Sequence, residues 1–142
     1  MSRVRDIVSY RELYFAKESD VVADVARQMA ELQVGAILIL DGDRLRGVFS
    51  ERDLMTRVVL DRRNPDRTPV SQVMTTAVAT IDEEAGSDEA MELMQAHNCR
   101  HLPVMRGSRV VNFLSMRDLM KFELARKTEE LHHMKAYIQS GS

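Results

Sequence analysis

The sequence predicts an α/β fold of α+β character, built from two pseudo-symmetric copies of one β-α-β-β-α unit. Three observations predict it. The first is self-similarity. Displacing the chain by 65 positions lays Ser50-Glu-Arg-Asp-Leu-Met55 on Ser115-Met-Arg-Asp-Leu-Met120, Met29 on Met94, Gly42 on Gly107 and Arg44 on Arg109. Residues 20–60 and 85–125 then share eight identities in forty-one ungapped positions, where unrelated segments would share about three. The second is apolar periodicity that alternates between helical and extended at matching points of both halves. The third is a glycine-centred turn between two apolar runs in each half, Asp41-Gly-Asp43 and Arg106-Gly-Ser108, a hairpin signature.

The elements follow in order. Val4-Arg-Asp-Ile-Val8, answered after a one-residue slip by Val70-Ser-Gln-Val-Met74, leads into each unit. A short strand is expected over 13–16 and again over 78–81. An acidic stretch and an amphipathic helix come next, with Val22, Val25, Ala26, Met29 and Leu32 at helical spacing in the first copy. Ala90, Met91, Leu93 and Met94 play that part in the second. Apolar strands at 36–40 and 102–105 enter the hairpins, and the return strands run to Phe49 and Leu114. Helices begin at Ser50 and Ser115, the second continuing through Leu124, Leu131 and Met134 to Ile138. Asp61-Arg-Arg-Asn-Pro-Asp-Arg-Thr-Pro69 carries two prolines and no periodicity, so it reads as a solvated linker. The expected organisation is a first repeat over 1–61, a linker over 62–69, a second repeat over 70–125 and a helical tail over 126–142. Gly141-Ser142 reads as a vector remnant. Met29, Met55, Met94 and Met120 recur at matching helix positions and are expected in the core or at a dimer interface.

Composition narrows the function. The 142 residues are 44% hydrophobic and 30% charged, as in ordinary globular proteins. A net charge of −2 gives no polyanion footprint, so no nucleic acid is expected as a partner. Arg62, Arg63 and Arg67 are interleaved with Asp61 and Asp66, which fits a solvated linker better than a nucleic-acid patch. The apolar runs are too short for a membrane span, and Met1-Ser-Arg-Val-Arg-Asp6 lacks the apolar stretch of a signal peptide. With one cysteine, Cys99, no internal disulfide can form, and a reducing cytoplasmic setting is expected.

The repeated Ser-x-Arg-Asp carries the chemistry. A serine where a strand gives way to a helix, with a carboxylate three residues on, has the form of a capping box at Ser50/Asp53 and Ser115/Asp118. Capping does not account for Arg52 and Arg117, because a cation in the first turn opposes the helix dipole. A phosphate would compensate it, since helix N-termini offer free N–H groups and arginine offers a forked donor. The aspartate would repel a phosphate but suits the two hydroxyls of a ribose. Ser50, Arg52 and Asp53, with Ser115, Arg117 and Asp118, therefore read as two ribose-phosphate grips.

Gly47-Val-Phe-Ser50-Glu-Arg-Asp53, Pro69-Val-Ser-Gln-Val-Met74-Thr75 and Arg100-His-Leu-Pro-Val104 together resemble a tandem cystathionine-β-synthase (CBS) domain pair. The chain is most similar to the small stand-alone bacterial CBS-pair proteins, over residues 4–125. The resemblance implies a non-enzymatic regulatory module that takes an adenine nucleotide (AMP, ADP, ATP or NAD(H)) in clefts between its repeats and relays this to a partner protein. It implies that the aspartates hold the ribose hydroxyls and that the serines lie near the phosphate. Gly35, Ala36 and Ile37, and in the second copy His101, Leu102 and Pro103, would form the base slots, with help from Phe15 and Thr80. Arg100 and His101 would reach a phosphate bound mainly by the other repeat. A homodimer is expected, and no metal is required. Asn112 stands where the first copy has Gly47, a position usually glycine in the family, which makes the second cleft the more altered. The alternative is a dimerisation or scaffold module whose pockets are degenerate and whose Ser-x-Arg-Asp copies only cap helices.

Other constellations are weaker. His97-Asn-Cys99-Arg-His101 spaces two histidines like a metal pair, but Pro103 and the apolar strand place the helix end near His97. No motif supports Cys99 as a nucleophile. Ser115, His101 and Asp118 are the residue types of a hydrolase triad, yet Phe113 and Arg117 occupy the glycine positions of a nucleophile elbow.

Overall fold

The apolar run after Gly35 is long enough to be covered on both faces, and the fold covers it so. In the computed structural model, which describes residues 2–8 and 11–140, this run is strand β2, Ala36–Asp41, buried over its first five residues. Side chains alternate along a strand, so Ile37 and Ile39 enter one apolar cluster while Leu38 and Leu40 enter another. β2 pairs in parallel with β1, Phe15–Ala16, and antiparallel with β3, Arg44–Ser50. The second sheet repeats this arrangement. β5, His101–Arg106, lies between β4, Ile81–Asp82, and β6, Arg109–Ser115. The outer strands expected over 13–16 and 78–81 thus shrink to two paired residues each. Each hairpin turns at a glycine with positive φ, +63° at Gly42 and +61° at Gly107, where a β-carbon would be strained. Gly141 and Ser142, read above as a vector remnant, lie outside the described residues.

Helices α2 (Val22–Leu32) and α4 (Ser87–His97) cover the sheets and end on left-handed residues, Gln33 and Asn98. Neither starts on a side-chain cap. Instead, Val22 N–H donates to the Thr68 carbonyl and Ala23 N–H to the Pro65 carbonyl, both at 2.9 Å. Ser87 N–H donates to the Ser2 carbonyl at 3.0 Å. The segment expected as a solvated linker also has a structural part. Its backbone caps α2, although most of its side chains remain exposed.

The lead-in segments cross over. α1 (Val4–Val8) buries Val4 and Val8 with Ile81, Met94, Leu102 and Leu114 of the second repeat. Val70, Val73 and Met74 pack with Val25, Met29, Ile37 and Phe49 of the first. Backbone bonds secure both crossings, Val4 N–H to the Ala85 carbonyl and Val70 N–H to the Asp20 carbonyl, each at 2.8 Å. A third cluster, Leu38, Leu40 and Val110 with Met105 and Phe113 against it, joins the sheets. There, Val110 N–H donates to the Asp43 carbonyl at 3.0 Å, beside an Arg109–Asp43 ion pair of 2.9 Å.

After β3 the chain enters α3 (Glu51–Asp53), which widens at once into a π-helical stretch, Leu54–Val59. After β6 it runs into α5, Met116–Ser140, a 25-residue helix exposed from Leu124 onward. The four recurrent methionines divide. Met29 and Met94 are core residues, whereas Met55 and Met120 are 53% and 62% exposed. Among the described residues no helix is long and apolar enough to cross a membrane.

Candidate functional site

Both Ser-x-Arg-Asp copies sit where a sheet hands over to a helix. Ser50, the last residue of β3, is extended (φ −121°, ψ 166°) and caps α3. Asp53 N–H donates to Ser50 Oγ at 3.2 Å, while the backbone N–H and hydroxyl of Ser50 donate to Asp53 Oδ2, each at 3.0 Å. The other carboxylate oxygen accepts from Thr75 Oγ1 at 3.1 Å and lies 3.7 Å from Arg57 Nε. Asp53 is consequently buried, 7% exposed. Thr75 is held there by two backbone bonds with Val48, each 2.9 Å. The Arg57 guanidinium also donates to the Met74 carbonyl at 2.9 Å. Gly47 makes this possible, because a β-carbon there would stand 2.7 Å from the Thr75 carbonyl oxygen.

The second junction is similar but not identical. Asp118 N–H donates to Ser115 Oγ at 3.1 Å and Ser115 N–H to Asp118 Oδ2 at 2.8 Å. Asp118 Oδ1 pairs with the Arg11 guanidinium at 2.7 Å. In place of Gly47, buried Asn112 donates from its amide to the Val8 carbonyl at 2.8 Å and accepts from Phe113 N–H at 2.8 Å. The departure at Asn112 therefore ties α1 to β6. His101 begins β5 opposite Ser115 and stacks on Phe113 with ring centroids 5.0 Å apart. Burial pushes its imidazole pKa below the usual 6.5, and the charges of Asp118 and Glu51 push the other way. Glu51 belongs to the first repeat, so a charge of one junction acts on the other.

The CBS domain profile matches this chain twice, over residues 4–60 and 70–125. The chain belongs to the CBS-domain family. It is a CBS pair, the class of regulatory module to which the sequence motifs pointed. Among solved structures it is similar to a CBS-domain protein from Burkholderia ambifaria, at 35% identity and a TM-score of 0.82, covering 87% of this chain and 95% of that one. It is similar also to a CBS domain protein from Pyrobaculum aerophilum complexed with AMP, at 26% identity and a TM-score of 0.71, covering 82% and 89%. A mitochondrial CBS domain-containing protein of Arabidopsis thaliana is 29% identical over 127 residues. That match takes in 86% of this chain and 62% of the plant protein.

The CBS pair brings some of the expected site residues together and leaves others apart. Ser50 and Asp53 meet, as do Ser115 and Asp118, but both carboxylates are engaged within the fold. Arg52 and Arg117 are exposed, and among the described residues their guanidinium groups have no ion pair or hydrogen bond. Arg100 is exposed as well, and its carbonyl accepts from Met116 N–H at 2.7 Å. The equivalent bond in the first repeat, Glu51 N–H to the Gly35 carbonyl, is 2.9 Å. A β-carbon at Gly35 would meet the Glu51 carboxylate at 3.4 Å, so this glycine leaves only ordinary contact space. Ala36, Ile37 and Leu102 are buried at 4%, 1% and 0% exposure, and Pro103 is buried opposite Phe113. Their side chains serve packing, leaving the backbone at the strand starts as what a base could reach. Phe15 and Thr80 are exposed at equivalent places on and before the outer strands.

The sequence reading missed Thr75, Arg57 and Arg11 as partners of the aspartates. Arg57, four residues after Asp53, had a helical-spacing signal. Arg11 had none, because it arrives from more than a hundred residues away. The rival constellations come apart. His97 ends α4, Asn98 turns left-handed, and His101 lies on β5. No group of three potential metal ligands occurs among the described residues. Burial pushes the Cys99 thiol pKa up, away from thiolate chemistry. Asp118 addresses the backbone of Ser115 and Arg11 rather than the His101 ring, so these residues do not form a triad.

Proposed function

We propose that this CBS pair is an adenine-nucleotide sensor. AMP, ADP, ATP or NAD(H) would bind at the two strand-to-helix junctions, and the bound state would be relayed to a partner protein. The observation that carries the reading is the pair of exposed arginines without partners among the described residues, Arg52 and Arg117, each in the first turn of a helix. That position costs helix stability unless an anion is present, and the sequence places an arginine there twice. The AMP complex of the Pyrobaculum relative supports the ligand class. Ribose binding requires the carboxylates to exchange partners: Asp53 releases Thr75 or Arg57, and Asp118 releases Arg11. That exchange offers a mechanism. Thr75 and Arg11 lie on the crossed lead-in segments or beside them, so engaging the ribose loosens one repeat from the other. The shift is limited by the ligand's differential affinity for the two arrangements. A non-catalytic role, a homodimer and a cytoplasmic setting belong to the same proposal.

A thermal-shift titration with AMP, ADP, ATP and NAD tests it. A ligand at a hundredfold excess over its dissociation constant stabilises the folded state by about 2.7 kcal/mol. The Arg52→Ala/Arg117→Ala chain is expected to melt at or slightly above the parent without ligand, the dipole cost being removed, and to lose most of the shift. No shift with any of the four ligands refutes the reading. One observation favours the scaffold alternative: in this arrangement both aspartates are closed into capping boxes. Under that alternative, Asp53→Ala destabilises the chain and no nucleotide alters its melting.

A further inference from the structure

The apolar side chains of the α5 tail stand exposed among the described residues, yet their spacing is patterned for a partner. From Leu124 to the end of the described helix every residue is exposed. A helix of that length standing alone in water is marginal, because most helical stability comes from burying an apolar face. The apolar face is present. Met120, Leu124, Leu131, Met134 and Ile138 are 60–69% exposed and recur at alternating steps of four and three, interrupted only by Lys127. This is a heptad seam with Leu124, Leu131 and Ile138 at one core position and Met120, Lys127 and Met134 at the other.

The geometry points to a parallel two-stranded coiled coil between the α5 tails of two copies of this chain. The flanking charges select the orientation. Glu123 and Glu130 border the seam on one side, Lys121 and Lys135 on the other. In a parallel pair, Glu130 of each helix faces Lys135 of its mate, giving two attractive contacts against one repulsive Lys127–Lys127 contact in the seam. In the antiparallel register that aligns the apolar residues, Glu130 faces Glu130 and Lys121 faces Lys135, so like charges meet on both flanks. The long Lys127 stem can lie along the seam with its ammonium in water. Leucines, methionines and Ile138 rather than polar groups fill the remaining seam positions, so a second identical tail is a matching occupant.

The inference deepens the homodimer named above and is independent of nucleotide binding. Its test uses the full chain. Light scattering during gel filtration is expected to give a dimer mass for the parent and a monomer mass for Leu131→Asp, which touches nothing in the folded body. With Cys99→Ser as background, Met134→Cys is expected to cross-link the two copies on mild oxidation. Glu130→Lys is expected to weaken the dimer, and adding Lys135→Glu to restore it. A parent that is monomeric overturns the proposal. So does a Leu131→Asp chain that stays dimeric, which would leave a homodimer formed elsewhere, or a dimer that Met134→Cys fails to cross-link, which would mean antiparallel tails.

Discussion

Replacing Gly47 by alanine should destabilise this protein by about 2–4 kcal/mol, although the backbone at that position is open to any residue. Gly47 is not among the positive-φ glycines, so the objection is space alone. A β-carbon would lie 2.7 Å from the Thr75 carbonyl oxygen, 2.9 Å from Met74 Sδ and 3.1 Å from Met74 Cγ. The thioether can swing away, but the carbonyl cannot move without opening the two 2.9 Å bonds between Val48 and Thr75. Overpacking costs about 1–3 kcal/mol and each lost bond about 0.5–1.5 kcal/mol. Reduced freedom of the unfolded chain returns about 0.4–1 kcal/mol. The expected net loss lowers the melting temperature by roughly 10 °C for a chain of this size. Urea unfolding followed by circular dichroism measures it. The substitution also draws Thr75 away from Asp53, so its effect reaches the first junction. A Gly47→Ala chain within about 0.5 kcal/mol of the parent, the usual range of an inconsequential surface change, would refute the reasoning. The opposite replacement, Asn112→Gly, should also destabilise, because it removes the shorter of the two bonds that the Val8 carbonyl accepts and the acceptor of Phe113 N–H.

Two further outcomes are expected. Val4→Ala removes a fully buried methyl pair from the second core and should cost about 1–3 kcal/mol. Hydrogen exchange should then show amides of α4, β5 and β6 losing protection before those of β2 and β3; the reverse order would contradict the crossing of the lead-in segments. Because burial holds the His101 pKa below its usual 6.5, its contribution to stability is present above that value and lost as pH falls through the folded pKa. Melting temperature should therefore drop more steeply on acidification in the parent than in His101→Gln. Equal slopes would show that the ring stays solvated.

Much of this fold was legible in the residues. The repeat, the hairpin glycines, the apolar middle strands and both capping boxes depend on neighbours a few positions apart, where periodicity and turn chemistry act directly. The site was legible in part. Ser50 with Asp53 and Ser115 with Asp118 meet because three residues span one helical turn, whatever the rest of the chain does. Ile37, Leu102 and Pro103 read equally well as base slots or as core, and their burial came from the sheet packing around them.

The sequence by itself determined that the chain is a doubled α/β unit of the CBS family with an arginine at the start of two equivalent helices. Only the tertiary structure decided which half each lead-in segment completes, and so which partners close over the aspartates. Val4 and Val70 look interchangeable in sequence, and nothing local says that each must cross to the opposite core. The deciding quantity is burial summed over contacts far apart in the chain, which is also why Arg11 meets Asp118 and Thr75 meets Asp53.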